Sequence, residues 1–284
     1  MTRALAAILI CCSATASADV AAVDALAKRV LGDRARDFTF EVDLPDPDGD
    51  VFEIEARDGR VTIRGNNGVS IASGLNWYLK YYCHCHVSLY GNQLDLPGVL
   101  PDVSPVLRRT SPHECRYLLN YCAFGYMMVW WDWEQWGRLI DWMALNGVNM
   151  PLAVTGQEAV WQAVGKRIGL TDEEMSEFIA GPPYLPFGWM GCLDGFGGPL
   201  PQEWIDEHVT LQKQILERER SLGMTPVLQG FTGHVPPGVA RLYPEAKLHT
   251  IHWIEWQTHL LEPTSPAFQE VDRAFMEEQE KLFG

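Results

Sequence analysis

The sequence has no glycine-rich phosphate loop, no Walker motif, no H-E-x-x-H and no G-x-S-x-G. These absences argue against nucleotide, zinc-protease and serine-esterase chemistry. It has no N-x-S/T sequon either, so glycosylation says nothing about its compartment. Basic residues are scarce: 22 Lys and Arg stand against 37 Asp and Glu, a formal charge of −15 with no long single-sign block. Such a surface repels nucleic acid and anionic membranes, and neither is expected as a partner. Beyond residue 18 no apolar run reaches the roughly 18 residues that cross a bilayer.

Cysteine is sparse and uneven. Seven are present, and setting aside Cys11 and Cys12 in the N-terminal segment leaves Cys83, Cys85, Cys115, Cys122 and Cys192, an odd number that requires at least one free thiol. Cys83-His84-Cys85-His86 is too tightly spaced for a structural zinc motif, which wants C-x₂₋₄-C. In a strand its thiols face one side and its imidazoles the other. No metal is expected.

The first eighteen residues carry Arg3, an apolar run from Ala4 to Cys12, and small residues ending in Ala16-Ser17-Ala18. That is the pattern of a cleavable signal peptide, with cleavage after Ala18, and it predicts a secreted, periplasmic or lysosomal protein.

Residues 19–35 read as a helix, followed by three segments of period-two alternation at Phe38–Val42, Phe52–Ala56 and Arg60–Arg64. Gly68–Tyr82 then sets Ile71, Leu75, Tyr78 and Leu79 at helical spacing. One small sheet covered by helix makes residues 19–105 an α+β domain, closed by the Pro-bearing stretch Leu96–Pro105. From there the character changes, and ten of the eleven tryptophans lie from Trp130 onward. Apolar strands at Arg116–Cys122, Val148–Val154 and Met224–Leu228 alternate with helices at Asp132–Asn146, Gln157–Gly169, Thr171–Ala180 and Glu203–Leu222. A last helical period covers Ser265–Leu282. The alternation predicts parallel βα units, doubly wound or barrel, over 106–284. A (β/α)₈ barrel needs about 250 residues, more than this segment supplies. The fold expected is therefore α/β, a small N-terminal α+β domain followed by an incomplete (β/α)₈ barrel, either as a fragment or completed by another polypeptide.

Active sites of such folds sit at the C-terminal ends of the strands. Asn120, Cys122 and Tyr126 fall at the end of the first strand, Glu158 after the second and His234 after the third. A histidine in a loop after a strand is as often functional as structural. Cys122 has no basic neighbour in sequence to activate it and reads as a pocket wall. Val129-Trp130-Trp131-Asp132-Trp133 is the densest aromatic cluster. Indole faces pack against the C–H faces of pyranose rings, although Trp133 and Trp136 also fit a buried helical stripe. Glycoside hydrolysis needs two carboxylates, about 5 Å apart for retention. Asp132, Glu158, Asp194, Glu245 and Glu255 are present, but helix capping accounts for Asp132 and solvation for most of the others, so no catalytic pair is identified.

The runs VWWDWEQWGRLIDWMALNGVNMPLAVTGQEAVW (129–161), MGCLDGFGGPLPQEW (190–204) and GMTPVLQGFTGHVP (223–236) resemble the α-N-acetylglucosaminidases of glycoside hydrolase family 89. WYLKYYCHCHVSLYGNQLDLP (77–97) resembles the N-terminal domain of the same family, so the likeness covers nearly all of 35–284. The resemblance implies a (β/α)₈ barrel followed by a helical domain, and an exo-acting hydrolase that removes terminal α-linked N-acetylglucosamine with retention and without a cofactor. In an α-glycoside the 2-acetamido group is cis to the leaving group and cannot attack from behind, so the protein must supply the nucleophile. Both family glutamates lie later than the matched region. The acid/base sits in an FNE-type motif after the fourth strand, and this sequence holds neither motif. The chain is therefore expected to be inactive alone. The resemblance places Asn120, Cys122 and Tyr126 (N-x-C-x₃-Y), Glu158 (GQE) and His234 (GHVP) around the non-reducing sugar. Phe187 stands where the family's lysosomal member carries a tryptophan, and Trp189 follows it, leaving open which ring stacks on the sugar. A non-catalytic N-acetylglucosamine-binding fragment is the alternative reading. A glycosidase with a similar front domain, such as a β-hexosaminidase, is a third.

Overall fold

The computed structural model describes residues 20–44 and 49–284, so the signal peptide read at residues 1–18 lies outside the described residues. Two compact units are present. The first comprises the described residues to His86, with Gln93–Glu114 and Arg220–Gly223; the second comprises Val87–Asn92, Cys115–Glu219 and Met224–Gly284.

The first unit opens with α1 (Val20–Leu31), which passes through a 3₁₀ turn, Gly32–Asp37, into β1 (Phe38–Val42). β2 (Val51–Arg57) and β3 (Arg60–Gly65) form an antiparallel hairpin. Asp58 and Gly59 turn it with positive φ at both positions, as a tight right-twisted hairpin requires. β1 runs parallel to β3. α2 (Gly68–Tyr81) begins where Asn67 Oδ1 accepts from the Ser70 amide at 2.8 Å, satisfying one of the unpaired donors of a helix start. Its stripe of Ile71, Leu75, Tyr78 and Leu79 is buried with Ile54 and Ile63 of the sheet. Each such side chain contributes about 1.5–3 kcal/mol by leaving water.

The stretch expected to be a linker ends instead in β4 (Val103–Thr110), which pairs antiparallel with β2 and gives the sheet order β1-β3-β2-β4. Pro105 obscured it, because proline fits a sheet only where its missing N–H is not needed, and β4 is an edge strand. The tight Cys-His repeat behaves as its alternation predicts, with Cys83 and Cys85 buried and His84 and His86 exposed.

The second unit contains parallel βα units, with strands shorter than the apolar runs suggested. β5 is Tyr117–Leu118, after which the chain enters α3 (Tyr121–Tyr126) and α4 (Trp133–Leu145). A capping box starts α4: Asp132 accepts from the backbone of Glu134 and Gln135, while the Gln135 side chain accepts from the Asp132 amide. The apolar face of α4 buries Trp136, Leu139, Ile140 and Met143. β6 (Met150–Pro151) pairs parallel with β5, and Leu152 continues it into a parallel bridge with Val227. Between β6 and that bridge come α5 (Gln157–Ile168), α6 (Asp172–Phe178), α7 (Leu185–Trp189) and α8 (Gln202–Ser221). The run of strands does not close into a barrel among the described residues.

Past Val227 lie β7 (His234–Val235), α9 (Val239–Leu242), the hairpin β8 (Leu248–Trp253) and β9 (Trp256–Leu261), and α10 (Pro266–Phe283). β9 joins β8 on one side and β7 on the other, both antiparallel. The period-two and period-3.6 patterns of the surrounding chain gave no sign of this sheet. α10 packs on α5.

Candidate functional site

Glu158, Trp161, Phe178, Leu185, Trp189 and His234 line a small cleft in the second unit. Four elements build it. Glu158 occupies the second position of α5, immediately after the buried run Leu152–Thr155 that continues β6. Gly156 makes that corner possible: its φ is +76°, and a Cβ there would stand 3.0 Å from the His208 carbonyl oxygen. Trp161 lies one turn further on the same helix face. Its ring meets Phe178 of α6 at 5.2 Å and Phe275 of α10 at 5.3 Å, both edge-on. α7 supplies Leu185 and Trp189, and β7 supplies His234, whose ring sits 4.8 Å from Phe178.

Glu158 is only 2% exposed, and burial in this aromatic surround pushes its carboxyl up to about 7. Its own backbone and the indole of Trp204 oppose the shift only in part. Oε2 has no hydrogen-bond partner, and the Trp204 indole N–H does not reach bonding geometry with it. Near neutral pH this side chain is therefore about half in the neutral acid form, which can donate a hydrogen bond. His234 is equally buried, but it is partnered: Nε2 lies 2.7 Å from Asp194 Oδ1. A carboxylate only accepts, so Nε2 carries the hydrogen.

A chain of buried amides holds the cleft from behind. Gln157 Nε2 donates to Gln279 Oε1 at 3.0 Å, Gln279 Nε2 to the Gln229 carbonyl at 2.9 Å, and Gln229 Nε2 to the Trp189 carbonyl at 3.0 Å. It ties α10 to α5 and to the end of α7, the two helices that carry Glu158 and Trp189.

The structure brings together Glu158, Trp189 and His234 among the residues singled out from sequence. The other four lie elsewhere. The first strand ends at Leu118 instead of continuing to Cys122, and Asn120 becomes the N-cap of α3, its Oδ1 accepting from the Ala123 amide at 2.8 Å. Cys122 is exposed on the first turn of α3, and Tyr126 at its end is 82% exposed. Phe187 is half-buried and stacks on Trp253 at 5.3 Å. α3 does reach the cleft wall indirectly, since Tyr121 and Phe124 pack on Trp189. Gly125 allows that approach: a Cβ there would come within 3.0 Å of Pro186.

Sequence reasoning missed Trp161, Phe178 and the Asp194 partner of His234. Trp161 was legible, three residues after Glu158 and so on the same helix face. Asp194 had no local signal and was read as solvated. Of the aromatic run at 129–133, Trp130 is exposed and meets Trp204 edge-on at 5.5 Å, while Asp132 is a cap, as expected.

Residues 116–284 match the family model for the α-N-acetylglucosaminidase (NAGLU) TIM-barrel domain, and residues 21–102 match that for its N-terminal domain. The chain belongs to the α-N-acetylglucosaminidase family. Human α-N-acetylglucosaminidase is 42% identical to it over 277 residues, which are 94% of this chain and 37% of the human protein. Two solved structures of the Clostridium perfringens family 89 glycoside hydrolase, one with PUGNAc and one with its substrate GlcNAc-α-1,4-galactose, superpose with a TM-score of 0.88 at 38% identity. Each superposition covers 93% of this chain and 31% of the bacterial one. This α-N-acetylglucosaminidase family member thus spans about a third of the length of those relatives. Its glycosidase family and its α/β architecture agree with the reading of the sequence.

Proposed function

We propose that this chain supplies the N-terminal domain, whose sheet runs on to Thr110, and the opening βα units of an exo-acting α-N-acetylglucosaminidase that releases terminal α-linked N-acetylglucosamine from glycans with retention. The observation that carries the reading is the cleft after the parallel strands, with a tryptophan wall, one buried acid and one fixed imidazole, in a chain of this family. The indole of Trp189 packs against the apolar C–H face of the sugar. Glu158 and His234 hydrogen-bond its hydroxyl and acetamide groups. Asn120, Cys122, Tyr126 and Phe187, which do not line the cleft, meet only parts of the glycan that extend beyond it, and the enzyme works without metal or cofactor. Export through the leader at residues 1–18 delivers it to a secreted, periplasmic or lysosomal compartment.

Retention requires two carboxyl groups about 5 Å apart, one as nucleophile and one as acid and then base. Of the side chains lining this cleft only Glu158 carries a carboxyl. Residues 1–284 by themselves are therefore expected not to hydrolyse an α-linked aryl N-acetylglucosaminide, and release of the aryl group at enzyme rates would overturn that view. For the full-length enzyme, proton NMR of the first sugar released should show the α-anomer. Initial release of the β-anomer would mean inversion, and action on β-linked substrate alone would replace the proposal with a β-hexosaminidase.

A further inference from the structure

The hairpin of β8 and β9 is tied to the cleft at two points. Leu260 of β9 pairs with His234 of β7, and the buried Thr258 hydroxyl donates to the Gly191 carbonyl at 2.7 Å, just past Trp189. At the far end of the hairpin Trp253 pairs with Trp256 across the Ile254-Glu255 turn. The two indoles lie 5.4 Å apart with planes 26° from parallel, and Trp253 lies 5.3 Å from Phe187 of α7 with planes 20° from parallel. Carbons in face-to-face contact stand about 3.5–4.0 Å apart. Centroids at these longer distances mean that each ring is slid along the next, leaving part of its face uncovered. Phe196 extends the row, edge-on to Trp256 at 5.7 Å. Phe187, Trp253 and Trp256 are only half-buried, and Phe196 is 45% exposed. Aromatics that served packing alone would be out of water, whereas a contiguous exposed row marks a binding surface. Phe187 shares α7 with Leu185 and Trp189 of the cleft wall, so the row adjoins the cleft.

We propose that Phe187, Trp253 and Trp256 form a platform for the sugars on the leaving-group side of the scissile bond, and that those sugars are uncharged hexopyranoses. The proposal rests on the cleft taking the terminal N-acetylglucosamine. Pyranose rings present apolar C–H faces, and uncovered indole and phenyl faces are their natural counterpart. Charge narrows the class. Residues 182–199 and 248–261 supply every ring of the row; they contain no Lys or Arg but do contain Asp194 and Glu255. Sulfate and uronate groups are recognised through charge-assisted hydrogen bonds from Lys and Arg, which these segments do not offer. The platform makes and breaks no bond. It binds and orients the part of the glycan that leaves the cleft.

Calorimetric titration of the purified chain at about pH 7.5, above the usual range of histidine, tests this with three sugars. They are N-acetylglucosamine, a neutral trisaccharide made by extending GlcNAc-α-1,4-galactose with one more hexose, and a trisaccharide with the same terminal sugar followed by sulfated uronate. The neutral trisaccharide should bind at least about tenfold more tightly than N-acetylglucosamine, and the sulfated one no more tightly than N-acetylglucosamine. Trp253→Ala should lose that tenfold gain and keep its affinity for N-acetylglucosamine, which also shows that the cleft is intact. Trp253→Phe should keep most of the gain. If Trp253→Ala fails to fold by circular dichroism, Trp256→Ala carries the same comparison. Equal binding of the neutral trisaccharide by the parent and the alanine variant overturns the platform, as does a parent that gains nothing from the added sugars. Tighter binding of the sulfated trisaccharide overturns the uncharged class. A parent that binds the neutral trisaccharide through Trp253 but not N-acetylglucosamine would remove the cleft reading and leave the platform standing.

Discussion

Nε2 of His234 lies 2.7 Å from Oδ1 of Asp194, across a sequence separation of 40 residues, with the imidazole buried and the carboxylate nearly so. This contact joins the loop after α7 to β7 and fixes which face of the imidazole looks into the cleft. A hydrogen bond to a charged group contributes about 1.5–3 kcal/mol. A double-mutant cycle of Asp194→Ala and His234→Ala, read by urea unfolding, should return a coupling energy in that range. A value near zero would mean that the pair is incidental to the fold.

Glu158 makes stability depend on pH in an unusual direction. Its carboxyl is raised from 4.5 in the unfolded chain to about 7 in the fold. Between those values the folded state holds the proton more firmly than the unfolded state, so stability falls as pH rises from about 4.5 to about 7. The full effect is of order 3 kcal/mol. Glu158→Gln keeps the shape and removes the titration. Its stability relative to the parent should therefore climb between pH 5 and pH 7.5, in urea midpoints measured on both proteins. A difference that stays flat across this window would show that Glu158 is not the titrating group.

Gly156→Ala tests the corner that presents Glu158. A non-glycine residue at this left-handed φ costs about 1–3 kcal/mol, and the added Cβ also presses on the His208 carbonyl oxygen. The variant should lose that much stability. In the full-length enzyme it should also raise KM for an aryl α-N-acetylglucosaminide, because the acid behind it is displaced. A variant as stable as the parent would mean that the corner relaxes freely.

Much of this was legible in the sequence where one period dominated. The stripe of α2 and the Asp132 cap of α4 were visible because local pattern and tertiary packing agree there. β4 was hidden by Pro105, which only its edge position tolerates. The β7–β9 sheet was hidden because the hairpin's exposed side chains, Ile251 and Ile254 among them, break any apolar alternation. For the site, Glu158 and His234 could be found because each follows an apolar run that becomes a strand, while Trp189 was reached only through the family resemblance. Asp194 could not, since its role depends on a partner 40 residues away. Asn120, Cys122 and Tyr126 were placed one element too early, because the first strand yields to a helix N-cap after two residues.

The buried amide chain gives the last prediction. Gln279 links α10 to the cleft by accepting from Gln157 and donating to the Gln229 carbonyl, and it is 5% exposed. Leucine fills the same volume but can do neither, and it leaves a buried donor on Gln157 and a buried acceptor on Gln229 without partners. Each orphaned group costs about 1–3 kcal/mol, whereas the added apolar area returns less than one such penalty. Gln279→Leu should therefore destabilise the protein by at least about 2 kcal/mol. Gln279→Glu, at a pH where the new carboxyl is neutral, keeps a carbonyl acceptor for Gln157 and an O–H donor for the Gln229 carbonyl in altered geometry, and should fall between leucine and the parent. Unfolding midpoints for the three proteins give the order directly. If leucine proved the most stable of the three, the amide chain would be a passenger in an apolar interface, and the positions of Trp189 and Glu158 would have to be explained by packing alone.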